Sequence, residues 1–284
     1  MTKDRQSTVS VIKKYDVRAR KKYGQNFLKD ENILQGIVDA AEIGKEDTVL
    51  EIGPGTGALT AFLCEAAGRV IAVEIDRDLI PILEETLGTR ENVTLINADI
   101  MKTDIREILP EGCGSIKVVA NLPYYITTPI IMTLLEGNAP IDSMTIMIQK
   151  EVAERMLSLP GKKTYGALSL AVQYHTEAKA VMEVPPSSFI PPPKVSSTVM
   201  HLKVRKEPPV NVMDEELLFE LIRASFNQRR KTLQNGLKNH PGLHFSTGEI
   251  SAAIEKLGKP ASVRGEQLSL EEFASLADLL YQRP

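Results

Sequence analysis

The chain has 284 residues, 43% hydrophobic and 25% charged, with a net charge of −3, ordinary globular values for one large domain and a small one. No apolar run reaches the roughly 18 residues of a membrane helix, and residues 1–10 lack the apolar centre of a signal peptide. Cys64 and Cys113 have neither metal-ligand spacing nor a disulfide-framework pattern, so no metal site is expected and a reducing, cytoplasmic setting fits.

The first predicted element is a basic arm, residues 1–28. Over the first 30 residues nine Lys or Arg stand against three acids, a charge of +6, while the other 254 residues carry −9. Clustered positive charge on an acidic chain is the footprint of a protein that meets a phosphate backbone; a solvated face is the plainer reading. Asp30 can cap a helix whose Ile33, Leu34, Ile37, Val38 and Ala41 recur at helical spacing. Residues 48–52 form a strand feeding the turn Gly53-Pro54-Gly55-Thr56-Gly57, and Leu59, Phe62, Leu63 and Ala66 give the next helix a buried face.

Strands follow over 70–73, 92–97, 115–120 and 144–149, with helices over 78–87, 128–135 and about 151–157. Pro81 and Pro129 fall in first turns, where a missing N–H does no harm. Such alternation implies right-handed crossovers and a mostly parallel, doubly wound α/β sheet. A helix over 168–174 and strands over 180–184 and 196–204 come next, around a proline-rich segment, 185–193, that can be neither element.

A boundary is expected at 205–209, Arg-Lys-Glu-Pro-Pro, because only helical stripes lie beyond it. These are Leu217, Leu218, Leu221 and Ile222, then Ile250, Ile254 and Leu257, and a last helix opened by the capping box Ser269-x-x-Glu272. The domains expected are the arm 1–28, an α/β domain over 29–205 and a small all-α domain over 206–284. Within the last, Arg223, Arg229, Arg230 and Lys231 belong to a stretch without acids and are candidate contacts to nucleic acid.

Chemistry is concentrated at strand ends. Glycines at alternate positions let a backbone bend tightly and approach a ligand. Such turns serve dinucleotides and S-adenosylmethionine alike, and three acids favour the second. Glu51 places a negative group near a ligand carrying an amine and a sulfonium. Glu74, ending the next strand beside Ile75, can accept both ribose hydroxyl protons. Asp99 after the third strand can accept from the adenine amine, with Ile100 packed on its ring. Candidate cofactor residues are therefore Glu51, Gly53, Gly55, Glu74, Ile75, Asp99 and Ile100; a structural turn with solvated acids is the plainer alternative.

At the fourth strand end stands Asn121-Leu122-Pro123-Tyr124. The exocyclic amine of adenine is a poor nucleophile because its lone pair is delocalised into the ring. Two acceptors around its hydrogens favour a tetrahedral nitrogen, and the Asn121 side-chain carbonyl and Leu122 backbone carbonyl are the natural pair. Pro123 restricts Leu122 to an extended conformation, and Tyr124 can stack on the base. A base must leave any helix to enter such a site, so a second stacking ring is expected; Phe189 is the candidate, and Tyr125 reads as structural. Proximity and preorganised dipoles carry such a transfer without a strong general base.

Tyr23-Gly24-Gln25-Asn26-Phe27-Leu28, the glycine turn, Asn-Leu-Pro-Tyr and Phe189-x-Pro-x-Pro-Lys194-Val195-x-Ser197 occur in this order. Along almost its full length the chain thereby resembles the ribosomal RNA adenine dimethyltransferases. The tail motif, residues 225–233, and Arg264-Gly265-Glu266-Gln267-Leu268-Ser269 resemble the KsgA (RsmA) branch, in which Ala is commoner where Gly265 stands. The resemblance implies a Rossmann-like, seven-strand methyltransferase sheet with a C-terminal helical domain. It implies S-adenosyl-L-methionine as cofactor, with Asn26 and Leu28 at its methionine end, Gly53 at the turn, Glu74 on the ribose, Asp99 on the adenine and Asn121 serving both ligands. It implies four methyl transfers to two adjacent adenosines near the 3′ end of small-subunit rRNA, on a partly assembled subunit. A monomer is expected.

Three rivals remain. An Erm-type enzyme would act on large-subunit rRNA, and the tail motif argues against it. A nucleotide-dependent oxidoreductase would share the sheet, but Asn-Leu-Pro-Tyr has no part in hydride transfer and no His stands at a strand end. A ribosome-assembly factor with secondary methylation would suit the basic segments equally.

Overall fold

The computed structural model of the protein describes residues 5–282; Lys3 and Asp4 of the arm lie outside them. Two compact units form. One runs to Ala153 and takes in Ala178–Val204; the other comprises Glu154–Glu177 and the chain from Arg205. A single boundary at 205–209 does not describe this division, because the helix Ala167–His175 groups with the second unit. There Tyr174 meets Phe219 edge-on at 5.1 Å and His175 stacks on Phe219 at 5.3 Å. A helix between two strands reads locally as a crossover, and only these distant partners say otherwise.

In chain order the strands are β1 (Phe27–Leu28), β2 (Thr48–Ile52), β3 (Arg69–Glu74), β4 (Val93–Asn97), β5 (Ile116–Asn121), β6 (Ile141–Gln149), β7 (Thr176–Val184), β8 (Phe189–Ile190) and β9 (Ser197–Val204). Seven make one sheet, in the order β4-β3-β2-β5-β6-β9-β7. The first five of that order are parallel, and β9 runs antiparallel to β6. Val49, Leu50, Val70, Val118 and Val119 are almost wholly buried, as expected of central parallel strands covered on both faces. From β2 the chain builds outward through β3 and β4, then returns to β2's other side as β5. The switch point lies between the carboxyl ends of β2 and β5, where such sheets bind ligands.

Asp30 caps the helix Glu31–Ala40 as expected, accepting from Asn32 N. That helix and Ala58–Ala66 bury Leu34, Ile37, Phe62 and Leu63 in one apolar cluster with Val49, Val70, Val119 and Val199. The arm carries an unforeseen helix, Thr8–Tyr15, capped by Ser7. Val11 is buried, and the Thr8 hydroxyl donates to Leu28 O at 2.5 Å. Much of the arm's charge is spent internally: Arg5 on Glu65, Lys14 on Glu85, Arg18 on Asp16 and Arg20 on Asp76 and Asp78. The arm is thus part of the first unit, while Lys13, Lys21 and Lys22 stay exposed.

The second unit is helical apart from the β7 end. Leu218, Leu221, Ile222, Ile250 and Ile254 are buried as their spacing requires, and the Ser269–Glu272 capping box forms. Gly265 is a packing position: a Cβ there would stand 2.6 Å from Ser225 Cβ. The short helix Gly265–Gln267 forms all the same.

Candidate active site

A cavity in the first unit is lined by the ends of β2 and β3, the segment after β4, the turn after β5 and residues 23–28 of the arm. Gly53, Gly55 and Gly57 have φ of +70°, +61° and +79°, left-handed values that other residues adopt only with strain. Gly53 N donates to Val73 O at 2.9 Å, prolonging the β2–β3 ladder, and Gly57 N to Pro54 O at 2.9 Å. A Cβ on Gly55 would meet the Phe27 ring at 3.1 Å and one on Gly57 the Leu83 side chain at 2.9 Å, whereas one on Gly53 would meet nothing within 4 Å. Packing thus fixes two of the glycines, and the third leaves the cavity wall bare.

Glu51, Glu74 and Asp99 all line this cavity, with Gly53, Gly55, Ile75 and Ile100. Burial, with the Glu74 charge nearby, pushes the Glu51 carboxyl up to about 8. Glu51 Oε2 is buried without a hydrogen-bond partner among the described residues. Burial also raises Glu74, opposed by backbone donors: Asp76 N reaches its Oε1 at 2.8 Å and Gly55 N its Oε2 at 3.1 Å. Asp99 Oδ1 accepts from Met101 N at 3.1 Å.

Residues 23–28 are latched in place. Asp76, 2% exposed, accepts from Arg20 Nη1 and Gln25 Nε2, each at 3.0 Å, and Gln25 Oε1 accepts from Arg20 N at 2.8 Å. β1 pairs with β8, setting Leu28 opposite Phe189. Phe27 enters the cluster of Leu79 and Leu83, and Leu28 that of Leu34 and Phe189. Asn26 and Leu28 consequently line the cavity.

Asn121 Nδ2 donates to Asn26 O at 3.1 Å. A backbone carbonyl can only accept, so of the two ends of the amide it is the NH2 that faces Asn26 O, which leaves Oδ1 as the free acceptor. Leu122 N donates to Met147 O at 3.1 Å. The turn closes through Ile126 N and the Thr127 hydroxyl, both donating to Pro123 O. The Tyr124 hydroxyl lies 2.7 Å from Ser197 Oγ, and burial holds the phenol above its usual range. Asn121, Leu122 and Tyr124 line the cavity together.

Phe189 does not line it. The ring is 2% exposed, in the core cluster with Leu28 and Leu34. A second stacking ring is not what this placement offers, because the β1–β8 pairing turns the residue inward. Arg223, Arg229, Arg230 and Lys231 lie on the second unit. Arg229 is held by Glu266 at 2.9 Å, and Arg230 and Lys231 are exposed. Sequence reasoning missed Asp76 and gave Ser197 no task. A polar side chain whose partners are 51 to 73 residues away leaves no local signal, although Gln25 and Ser197 both stand inside the quoted motifs.

This arrangement around the switch point is that of the S-adenosylmethionine-dependent methyltransferases, and S-adenosyl-L-methionine is the cofactor. The lining fits it: a buried Glu51 carboxyl with an unpartnered oxygen, held neutral by burial alone and drawn into its ionised form by a cation, further acids at successive strand ends, and apolar Ile75 and Ile100 for a flat ring. A family model described as ribosomal RNA adenine dimethylase matches residues 17–281, and the chain belongs to that family. Ribosomal RNA small subunit methyltransferase A of Lachnoclostridium phytofermentans is 56% identical over 99% of this chain and 98% of its own length. The protein of that name from Bacillus pumilus is 50% identical over 96% and 95%. Among solved structures, a dimethyladenosine transferase from Plasmodium falciparum is 29% identical, with a TM-score of 0.73 over 88% of this chain and 95% of that one. The 23S rRNA methyltransferase ErmE is 28% identical, with a TM-score of 0.67 over 90% of this chain and all of that one.

Proposed function

We propose that the chain dimethylates two adjacent adenosines near the 3′ end of small-subunit rRNA, four transfers in all, giving N6,N6-dimethyladenosine. The observation that carries this reading is the Asn121 amide locked on Asn26 O beside Leu122 in a cavity lined by the cofactor acids. Small-subunit specificity rests on relatives of that name at up to 56% identity, against 28% for ErmE. The cytoplasm, a partly assembled small subunit as substrate and a monomeric enzyme complete the reading. No helix among the described residues is long and apolar enough to cross a membrane.

The cofactor supplies an electrophilic methyl on a sulfonium. Glu51 and Asn26 hold its charged end, Glu74 its ribose and Asp99 its adenine. Asn121 Oδ1 and the Leu122 carbonyl accept from the target amine, which becomes tetrahedral with its lone pair directed away from both. Tyr124, held through Ser197, stacks on the base. These are preorganised dipoles that need no rearrangement at the moment of reaction. The methylated ammonium sheds its proton to water, so no buried base is required. One side-chain and one backbone acceptor also let a half-methylated amine rotate and react again.

Deleting the gene and analysing nucleosides from each rRNA tests this. Dimethyladenosine should vanish from the small subunit and return with the wild-type gene. Its persistence would overturn the reading, and macrolide resistance on expression in a sensitive cell would favour the Erm-type alternative.

A further inference from the structure

Two consecutive tyrosines follow Pro123, and they have opposite surroundings. Tyr124 is partly buried and anchored on Ser197. Tyr125 also lines the cavity, yet it is 59% exposed, and its hydroxyl has no hydrogen bond to the described residues. Its ring is nonetheless seated. A Cβ on Gly24 would stand 3.1 Å from Tyr125 Cδ1, and Gly24 has φ of +59°. The bare backbone of Gly24 thus accommodates one edge of the ring and leaves the rest open at the cavity mouth. The facing segment brings Tyr23 to the same lining, with Lys22 Nζ 4.3 Å from the Tyr23 ring centroid.

We infer that Tyr125 stacks on the nucleobase flanking the target adenine. The inference rests on the proposed function, in which one base enters the cavity and its neighbour must be accommodated at the mouth. Consecutive residues of one tight turn offer two aromatic faces, one inside and one outside, to consecutive nucleotides of a single strand. A seated, exposed ring has paid its ordering cost before the RNA arrives, and any base has a face to lay on it. Lys22 adds positive charge where the strand's phosphates would pass.

The test uses the full chain, labelled S-adenosylmethionine and small subunits from cells lacking the enzyme. Tyr125→Ala should raise KM for the subunit about tenfold, the order of one lost stacking contact. Its kcat should stay within about twofold, and cofactor affinity by calorimetry should be unchanged. Tyr125→Phe keeps the ring and should match wild type. Tyr125→Leu fills the Gly24 contact without an aromatic face and should share the KM rise. Unchanged KM in Tyr125→Ala, Tyr125→Phe as impaired as Tyr125→Ala, or Tyr125→Leu behaving as wild type would each overturn the inference. So would a loss of cofactor affinity in Tyr125→Ala, which would make the ring a support for Gly24. If wild type transfers no methyl to small subunits, the functional reading fails and the inference goes with it. If wild type is active and Tyr125→Ala equals it, only the inference fails.

Discussion

Glu51→Gln separates burial of a carboxyl from burial of its charge. In the folded protein burial pushes Glu51 up to about 8, against 4.5 when unperturbed. The folded state therefore keeps a proton that the unfolded chain gives up. The associated stability is fully present below the unfolded value and is lost as pH rises through the folded one. At about 1.4 kcal/mol per pH unit, Glu51 alone removes about 3 kcal/mol between pH 5 and pH 8. Gln has no proton to lose. Urea melts of the ligand-free proteins at pH 5, 6, 7 and 8 should show Glu51→Gln gaining on wild type by about that amount across the range. Glu74 also titrates from a raised position, but it is common to both proteins and largely cancels in the difference. A stability difference flat with pH would show that Glu51 ionises normally, and would refute the argument that burial holds it neutral.

Phe189→Ala should cost about 3–5 kcal/mol by opening a core cavity, and Phe189→Leu should keep most activity; a hundredfold fall in kcat for Phe189→Leu with unchanged Tm would restore the ring to the substrate site. Ser197→Ala should lower kcat several-fold by freeing the Tyr124 ring, a loss of about 1 kcal/mol. Tyr124→Phe should do the same and the double variant no more, since one contact is removed in each case; additive losses would mean that Ser197 acts elsewhere.

What was legible in the sequence was what physics writes locally. The run Val70–Val73 in β3 is continuous and apolar, β2 and β5 are apolar apart from Thr48, Glu51, Lys117 and Asn121, and the glycine turn declares itself by composition. Acids stand at or beside the carboxyl ends of neighbouring strands, Glu51 within β2, Glu74 closing β3 and Asp99 two residues past β4, so the alternation of elements alone gathers them at one edge of the sheet. Long-range packing was not legible. β1 and β8 are two residues each, too short for any periodicity, and they are what turns Phe189 inward. The arm's helix was hidden by its charge. Lys14 and Arg20 read as an RNA footprint until their acidic partners, Glu85, Asp76 and Asp78, are seen beside them. The seat of the Tyr125 ring is equally silent in the sequence, because nothing there says that Gly24 leaves room for it.

Label transfer tests the central claim most directly. Purified chain, isotopically labelled S-adenosylmethionine and undermethylated small subunits should yield label only in N6,N6-dimethyladenosine, at two adjacent positions near the rRNA 3′ end, and Asn121→Ala should yield almost none. Label on a different atom or on large-subunit RNA, or full transfer by Asn121→Ala, would contradict it.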